Sequence, residues 1–146
     1  MDWYKIVDLL GGLARLRAGA VDEFSDLVLL TSRTGARIRV FRRGEDDVLI
    51  EAGWFIEVGI DVREEGYLAE VVTAILDGRA VEEIGIAHDG HPRAIAWTIT
   101  YPGGCLAASL DTDRMAGNSV YRRVVPAWSQ NSSDASPAEV DGRRSG

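Results

Sequence analysis

Three side chains that could bind a metal ion lie close together in the sequence: His88, Asp89 and His91. Two imidazoles and a carboxylate in one turn could hold a divalent cation, but zinc sites usually take three or four protein ligands at set spacings. Asp111 and Asp113 would complete such a site only if the fold carried them there. The alternative is a polar hairpin tip, since Asp-Gly is a favourable turn pair. We expect the hairpin tip, and therefore no metal and no cofactor.

Catalytic motifs are missing from the rest of the chain. No serine lies in a Gly-x-Ser-x-Gly elbow, and Gly103–Gly104 lacks the spacing and the lysine of a phosphate-binding loop. Cys105 lies in a short apolar segment, so we expect it to be a buried hydrophobic residue. Acidic pairs such as Glu64–Glu65 and Glu82–Glu83 are so common that none stands out as a general acid and base. We expect these pairs to be solvated and the protein to be non-catalytic.

The charge of the chain is negative and unevenly distributed. The 146 residues carry a formal net charge of −7, yet residues 33–43 contain five arginines and no acid. Residues 44–89 contain thirteen acids against Arg63 and Arg79, which is a local net charge of −11. Negative charge is repelled by phosphate backbones, which disfavours a nucleic-acid partner. We expect a protein partner, with a basic protein domain as the favoured kind.

Length and apolar content indicate one domain in a reducing compartment. The length fits a single domain, and a single cysteine cannot form an internal disulfide, which favours the cytoplasm. No apolar run approaches the roughly 18 residues of a membrane span. We therefore expect no contact with membranes, and either a monomer or a homodimer.

A long segment alternates between apolar and polar residues. From 48 to 62 every even position is apolar, Trp54 among them, and several odd positions are acidic. A strand sends alternate side chains to opposite faces, so one face would be core and the other acidic. Fully extended, the segment would span roughly 50 Å at about 3.3 Å per residue, which is too long for an ordinary strand. We expect a bulge or bend at Gly53 or Gly59; a turn at Ala52–Gly53 that makes two strands is the alternative.

The preceding strand, residues 36–43, predicts how this ribbon is paired. If residues whose numbers add up to 90 lie opposite each other, Val40 meets Ile50 in the core and Arg39 meets Glu51 on the other face. A shift by one residue would bury the arginines, so we predict this register. The arginine run 33–43 is then the basic half of a salt-bridged strand pair rather than an anion site.

Two amphipathic helices complete the pattern. Asp2 can cap a first helix, and a second helix carries an apolar stripe from Leu68 to Leu76 and ends at Gly78. Short turns between the other apolar segments favour antiparallel pairing. The predicted fold is α+β: an antiparallel sheet of about six strands with two main helices, in the order α-β-β-β-α-β-β-β. Residues 1–128 would form a single domain, and 129–146 would be a disordered tail.

The outer face of the central sheet is the candidate binding surface. An apolar patch with a charged rim is typical of protein interfaces, although the first helix could instead cover this patch as a second core layer. The apolar candidates are Phe41, Leu49 and Phe55, and the acidic candidates are Glu51, Glu57, Asp61, Glu64 and Glu65.

Part of the chain resembles the small bacterial immunity proteins that neutralise polymorphic toxins. The resemblance covers residues 36–80: Gly53-Trp54-Phe55, then a charged turn with Arg63, then Tyr67-Leu68 at the start of a helix. The order of elements also resembles the fold of type III secretion chaperones, by topology alone. Both resemblances imply a non-catalytic protein that binds another protein, either as a toxin inhibitor or as a monomeric or dimeric adaptor for a protein client. A small enzyme or ligand-binding domain with a site near His88 is the third hypothesis.

Overall fold

A computed structural model describes residues 2–86, 89–109 and 119–128, with the side chains of Glu65 and Ser119 left out. Within these residues it contains two α-helices and two antiparallel sheets, which confirms the α+β class with two main helices. The strand count was wrong: nine strands form two sheets. The predicted tail, 129–146, lies outside the described residues. The elements are α1 (Trp3–Arg15), β1 (Ala20–Glu23), β2 (Leu27–Thr31), β3 (Arg37–Arg42), β4 (Asp47–Ala52), β5 (Ile56–Asp61), α2 (Glu65–Leu76), β6 (Ala80–Ile86), β7 (Pro92–Tyr101), β8 (Gly104–Ser109) and β9 (Ser119–Val124).

The larger sheet is a meander of β1 to β5 in chain order. Between β3 and β4, Val40 lies opposite Ile50 and Arg39 lies opposite Glu51, which confirms the predicted register. Except for the exposed Arg42 at the end of β3, the even-numbered residues of β2 to β5 are buried on the inner face, and the odd-numbered residues form the outer face. The alternation of apolar residues therefore fixed both the pairing and the orientation of these strands.

The long ribbon is two strands rather than one bent strand. Strand β4 ends at Ala52, β5 starts at Ile56, and these two residues lie opposite each other. Gly53 has a φ of +61°, a left-handed conformation that glycine adopts without steric cost. The expected core position of Trp54 was wrong: its side chain is 64% exposed because it belongs to the turn and not to a strand.

The smaller sheet has the order β8-β7-β6-β9. Its last strand pairs with β6 through contacts such as Glu82 opposite Arg123. The expectation that Cys105 is buried was wrong: Cys105 is exposed, because β8 is an edge strand and Cys105 lies opposite the exposed Thr100.

One hydrophobic core joins both sheets and both helices. Helix α1, capped by the Asp2 carboxylate on the Tyr4 amide, packs against β1, β2 and α2, and α2 packs against β7. The buried side of α1 joins the same cluster as the inner face of the larger sheet. Phe41 and Leu49 lie on the opposite face, so α1 does not cover them. Neither described helix is long and apolar enough to cross a membrane.

Leu10 and Leu16 offer a matched test of how α1 is packed. The Leu10 side chain is 0% exposed in the core, and Leu16, just past the end of the helix, is 61% exposed. We expect Leu10→Ala to lower the free energy of unfolding by about 2–5 kcal/mol, because it leaves a cavity. We expect Leu16→Ala to change it by less than about 0.5 kcal/mol. Urea denaturation followed by circular dichroism measures both; equal effects would contradict this packing.

Candidate functional site

The Glu82 carboxylate lies at the junction of the two sheets. Its side chain is 0% exposed, although the sequence predicted a solvated acidic pair there. The reason is its place on β6, where it lies opposite the buried Trp97 on one side and Arg123 on the other. The position therefore belongs to the inner face of the smaller sheet, and the carboxylate must find its partners inside the protein.

Three groups satisfy this carboxylate. The Trp54 amide donates to its two oxygens at 2.9 and 3.1 Å, and the Phe55 amide donates to Oε2 at 2.8 Å. The Arg123 guanidinium donates to Oε1 at 2.6 Å. A buried carboxylate is stable only when it is paired and hydrogen-bonded in this way. The β4–β5 turn is thus attached to the smaller sheet, and we call Glu82, Arg123, Gly53 and Trp54 the turn clamp.

Gly53 is required by the close approach of Glu82. A Cβ atom on residue 53 would lie 2.5 Å from Oε1 and 2.8 Å from Cδ of Glu82, much closer than van der Waals contact. The positive φ of Gly53 adds a second reason, because other residues rarely adopt it. The sequence Gly-Trp-Phe therefore combines a tight turn with two consecutive amides that both point at the carboxylate.

The Trp54 ring lies on the surface, next to Arg123. The Arg123 guanidinium carbon is 4.7 Å from the centre of the ring, which is the geometry of a cation–π contact. Arg123 is itself held by Glu82, so the cation, the ring and the turn backbone support each other. The protein thus presents a large exposed aromatic side chain on a fixed turn.

A cleft of about 570 Å³ lies beside this turn on the outer face of the larger sheet. It is bounded by the tips of the β2–β3 and β4–β5 hairpins and by charged residues of both signs. Phe55 lines it at one end. The charged residues that line it are Arg37, Arg39, Glu51 and Glu57.

Acids lie directly opposite each other between β4 and β5. Asp47 faces Asp61, and each has its own arginine: Arg43 is 2.6 Å from Asp47, and Arg63 pairs with Asp61. The hydrogen bonds from the Arg63 side chain and backbone lower the pKa of Asp61 to about 2. This pair of acids is therefore neutralised locally.

The second pair of acids, Glu51 and Glu57, is neutralised only in part. The two residues lie directly opposite each other, and Arg39 reaches Glu51 at 3.7 Å. Glu57 is exposed and makes no ion pair with any residue of the described ranges. Like charges directly opposite each other destabilise a sheet, and Glu57 has no close counter-charge to offset this, although Arg43 attracts it from its place on Asp47.

The predicted binding residues are brought together only in part. Phe41 and Leu49 are direct cross-strand partners and are half-buried. Phe55 belongs to the turn and packs against the core. Three residues of β4 lie between Leu49 and the first turn residue, Gly53, which is a distance of roughly 13 Å at about 3.3 Å per residue step. Glu51 and Glu57 line the cleft with Phe55. Glu64 is exposed at the start of α2. The side chain of Glu65 is not among the parts of the chain that the structure describes.

The candidate metal ligands near His88 are brought together only in part within the described residues. Asp89 accepts a hydrogen bond from the His91 amide at 3.0 Å, and the His91 ring lies 3.3 Å from the same carboxylate. Both side chains are exposed, as expected at a hairpin tip. His88, Asp111 and Asp113 lie outside the described residues. Among the described residues, no three potential ligands are close enough together to hold a metal ion.

The turn clamp itself was missed by the sequence analysis. One signal was available: Glu82 occupies the inward position between Ala80 and Ile84 in an alternating strand, where an acid is unexpected. Arg123 carried no such signal. Its segment, 120–128, fits both a strand and a short helix.

Glu82 and its neighbour Glu83 provide a test of the turn clamp. Glu82→Gln replaces one accepting oxygen by a donor, which faces the amide donors of the turn and Arg123. We expect it to lower the free energy of unfolding by about 2–4 kcal/mol, because buried donors lose their partner. Glu83→Gln removes the same charge from the outer face of β6 and should cost less than about 0.5 kcal/mol. Chemical denaturation compares the two; a Glu82→Gln protein as stable as the Glu83→Gln protein would rule the clamp out.

Comparison with known proteins gives no match. No family model fits the chain, and neither the curated proteins nor the solved structures include one that is similar to it. The likeness to immunity proteins and secretion chaperones stays a prediction from the sequence. The functional argument therefore depends on the geometry of the described residues.

Proposed function

We propose that this chain is a non-catalytic protein-binding domain that acts like an immunity protein: it inhibits a toxin-like partner by covering a basic site. The observation that carries the proposal is the exposed Trp54 ring on a turn held by Glu82 and Arg123. The cleft beside this turn is lined by charged residues of both signs, so the Trp54 ring lies next to a polar surface. These features belong to a recognition surface rather than to a reaction centre.

The chemistry of the turn fits an interface anchor. Tryptophan and arginine are enriched among the few residues that dominate binding energy in protein interfaces. Single exposed hydrophobic residues are common and need no explanation, but Trp54 differs because its backbone and its stacking partner are both fixed. A side chain that is already ordered loses less entropy on binding. Trp54 therefore supports a rigid docking point.

The charge of the outer face indicates the chemistry of the partner. Glu57 is exposed beside Glu51, and Glu64 is exposed at the start of α2. A basic partner surface would relieve the repulsion between Glu51 and Glu57 on contact. Complementary charge of this kind mainly raises the rate of association and makes it sensitive to salt.

The alternative is a chaperone-like adaptor that dimerises. Strand β9 is an edge strand of the smaller sheet, and Val120, Tyr121 and Val124 are each about half exposed on it. Apolar side chains on a free edge could pair with a second copy. Light scattering at micromolar concentration separates the two functions, because a monomer counts against the adaptor.

Trp54 and Tyr4 form a matched pair of exposed aromatic residues, 64% and 70% exposed. We expect Trp54→Ala to weaken binding to a partner purified from the native host by roughly 30-fold or more, which is about 2 kcal/mol. Tyr4→Ala, on α1 and outside the lining of the cleft, should change the dissociation constant by less than about twofold. Biolayer interferometry measures both. Equal effects of the two substitutions on the dissociation constant would show that Trp54 does not belong to the interface.

Charge-reversal variants test the electrostatic contribution to binding of the same partner. Glu57→Lys and Glu64→Lys should each slow association, and added salt should slow the association of the wild-type protein. The control is Asp8→Lys, on the exposed side of α1. If binding responds neither to salt nor to Glu57→Lys and Glu64→Lys, a basic partner site is excluded.

A further inference from the structure

The outer edge of β5 has hydrogen-bonding groups that no described strand uses. β5 is the last strand of the larger sheet. The Val62 amide donates to the Asp46 carbonyl at 2.9 Å, which makes residues 62 and 46 a hydrogen-bonded pair. Such pairs recur at every second residue of an antiparallel ladder. Even-numbered residues of β5 therefore point their amides and carbonyls toward β4, and Glu57, Gly59 and Asp61 point theirs outward.

This edge is accessible and carries one sign of charge. Glu57, Gly59 and Asp61 are all exposed, and no described backbone group bonds to them across the edge. β5 contains two acids and no base. A free edge is a template for another strand, and addition of a strand from a partner is a known mode of recognition.

We propose that the partner adds an extended basic segment to the free edge of β5, with a lysine or arginine beside Glu57. The proposal rests on the proposed protein-binding function and names the kind of segment that is bound. Of the four acids that face each other between β4 and β5, Glu57 is the one that makes no ion pair within the described residues, since Arg43, which also attracts it, bonds to Asp47. A cation beside Glu57 would therefore relieve its repulsion from Glu51. Gly59 lacks a side chain, and the Arg43 guanidinium lies over it on the outer face, so the basic side chain of the added strand is placed beside Glu57 and not beside Gly59.

A second copy of this chain is a weaker candidate for the same edge. Pairing two β5 strands would place four acids and no base on one two-stranded ribbon. Like charges on neighbouring strands oppose pairing. A basic strand from another protein therefore matches the acids of β5 better than a second copy of β5 does.

The opposite edge of the sheet supplies a matched control. The Phe24 amide donates to the Leu27 carbonyl at 2.8 Å, so even-numbered residues of β1 face β2 and the Glu23 amide points outward. Glu57→Pro and Glu23→Pro each remove one acid and one outward amide, on opposite edges. Proline is tolerated at such edge positions because the lost donor faces solvent. Glu57→Gln removes the charge and keeps the amide.

The probe is a labelled, capped peptide of sequence RVRTRVR, with a peptide of the same composition in the order RRRRVVT and the acidic peptide EVETEVE as controls. We expect RVRTRVR to bind better than either control by fluorescence anisotropy. Glu57→Pro should weaken this binding by roughly tenfold, Glu57→Gln by less, and Glu23→Pro by under about twofold. Circular dichroism checks that the variants fold.

Amide hydrogen exchange of the wild-type protein keeps the test independent of the variants. RVRTRVR should slow exchange at Glu57, Gly59 and Asp61 and leave Val21 and Glu23 of β1 unchanged. No binding at millimolar peptide, unchanged exchange at these three amides, or equal effects of Glu57→Pro and Glu23→Pro would overturn the proposal. If the three amides are protected from exchange without peptide, and light scattering shows a dimer, the edge binds a second copy of the chain instead.

The two proposals fail separately. If the host partner depends on Trp54 but does not protect the β5 amides, the domain binds proteins without adding a strand. If Trp54→Ala leaves the affinity for the host partner unchanged while RVRTRVR protects the β5 amides from exchange, the edge binds strands and the Trp54 surface is not the docking point.

Discussion

The buried Glu82 carboxylate is the constraint on which the arrangement of the two sheets depends. The hydrophobic core joins the sheets as well, but apolar contacts are not directional and allow neighbouring alignments of similar energy. Glu82 allows one alignment, because its oxygens must meet two consecutive amides of the β4–β5 turn and the guanidinium of Arg123. A buried carboxylate without these donors would cost several kcal/mol. Burying Glu82 carries a large desolvation penalty, and the hydrogen bonds that offset this penalty also define the geometry of the turn. Trp54 is the surface residue whose position they fix.

Much of the larger sheet was predictable because two independent patterns agree in it. The apolar residues alternate, and the charges on the outer face are complementary in the same register: Arg39 lies opposite Glu51, and Arg43 bonds to Asp47. A shift by one residue would violate both patterns at once. The helices were predictable for a similar reason, since the Asp2 cap and the Gly78 stop, with a φ of +79°, mark their ends.

The turn at Gly53 was the alternative and not the first prediction, because it preserves the period of the strands. Ala52 and Ile56 lie opposite each other, and three residues join them. Both are even-numbered, so the apolar alternation continues across the turn without a break in phase. Trp54 occupies the middle even position and therefore looks like a core residue, although it lies where the chain reverses. A pattern with period two cannot distinguish one long strand from two strands joined by an odd number of residues.

The candidate site was harder to predict than the fold, since its parts are distant in the sequence. Glu82 is 28 residues from Trp54 and 41 from Arg123. A lone acid inside an apolar strand indicates a buried partner but does not identify it, and here the partners are mainly backbone amides, which every residue has. Only the folded chain shows which turn reaches Glu82.

The acids between β4 and β5 show where the sheet has and has not been optimised for stability. Asp47 and Asp61 lie opposite each other, and an arginine bonds to each, so their repulsion is offset. Glu51 and Glu57 repeat the arrangement four residues closer to Trp54 on each strand, and of these two only Glu51 makes an ion pair within the described residues, with Arg39 at 3.7 Å. Arg43 attracts Glu57 but bonds to Asp47, so within the described residues Glu57 has no ion pair of its own on the free edge next to the clamped turn. Stability alone would favour a basic group beside Glu57. A basic group supplied from outside the chain would lie there only in the complex, and the cost in the free protein would then become a gain in specificity for that partner.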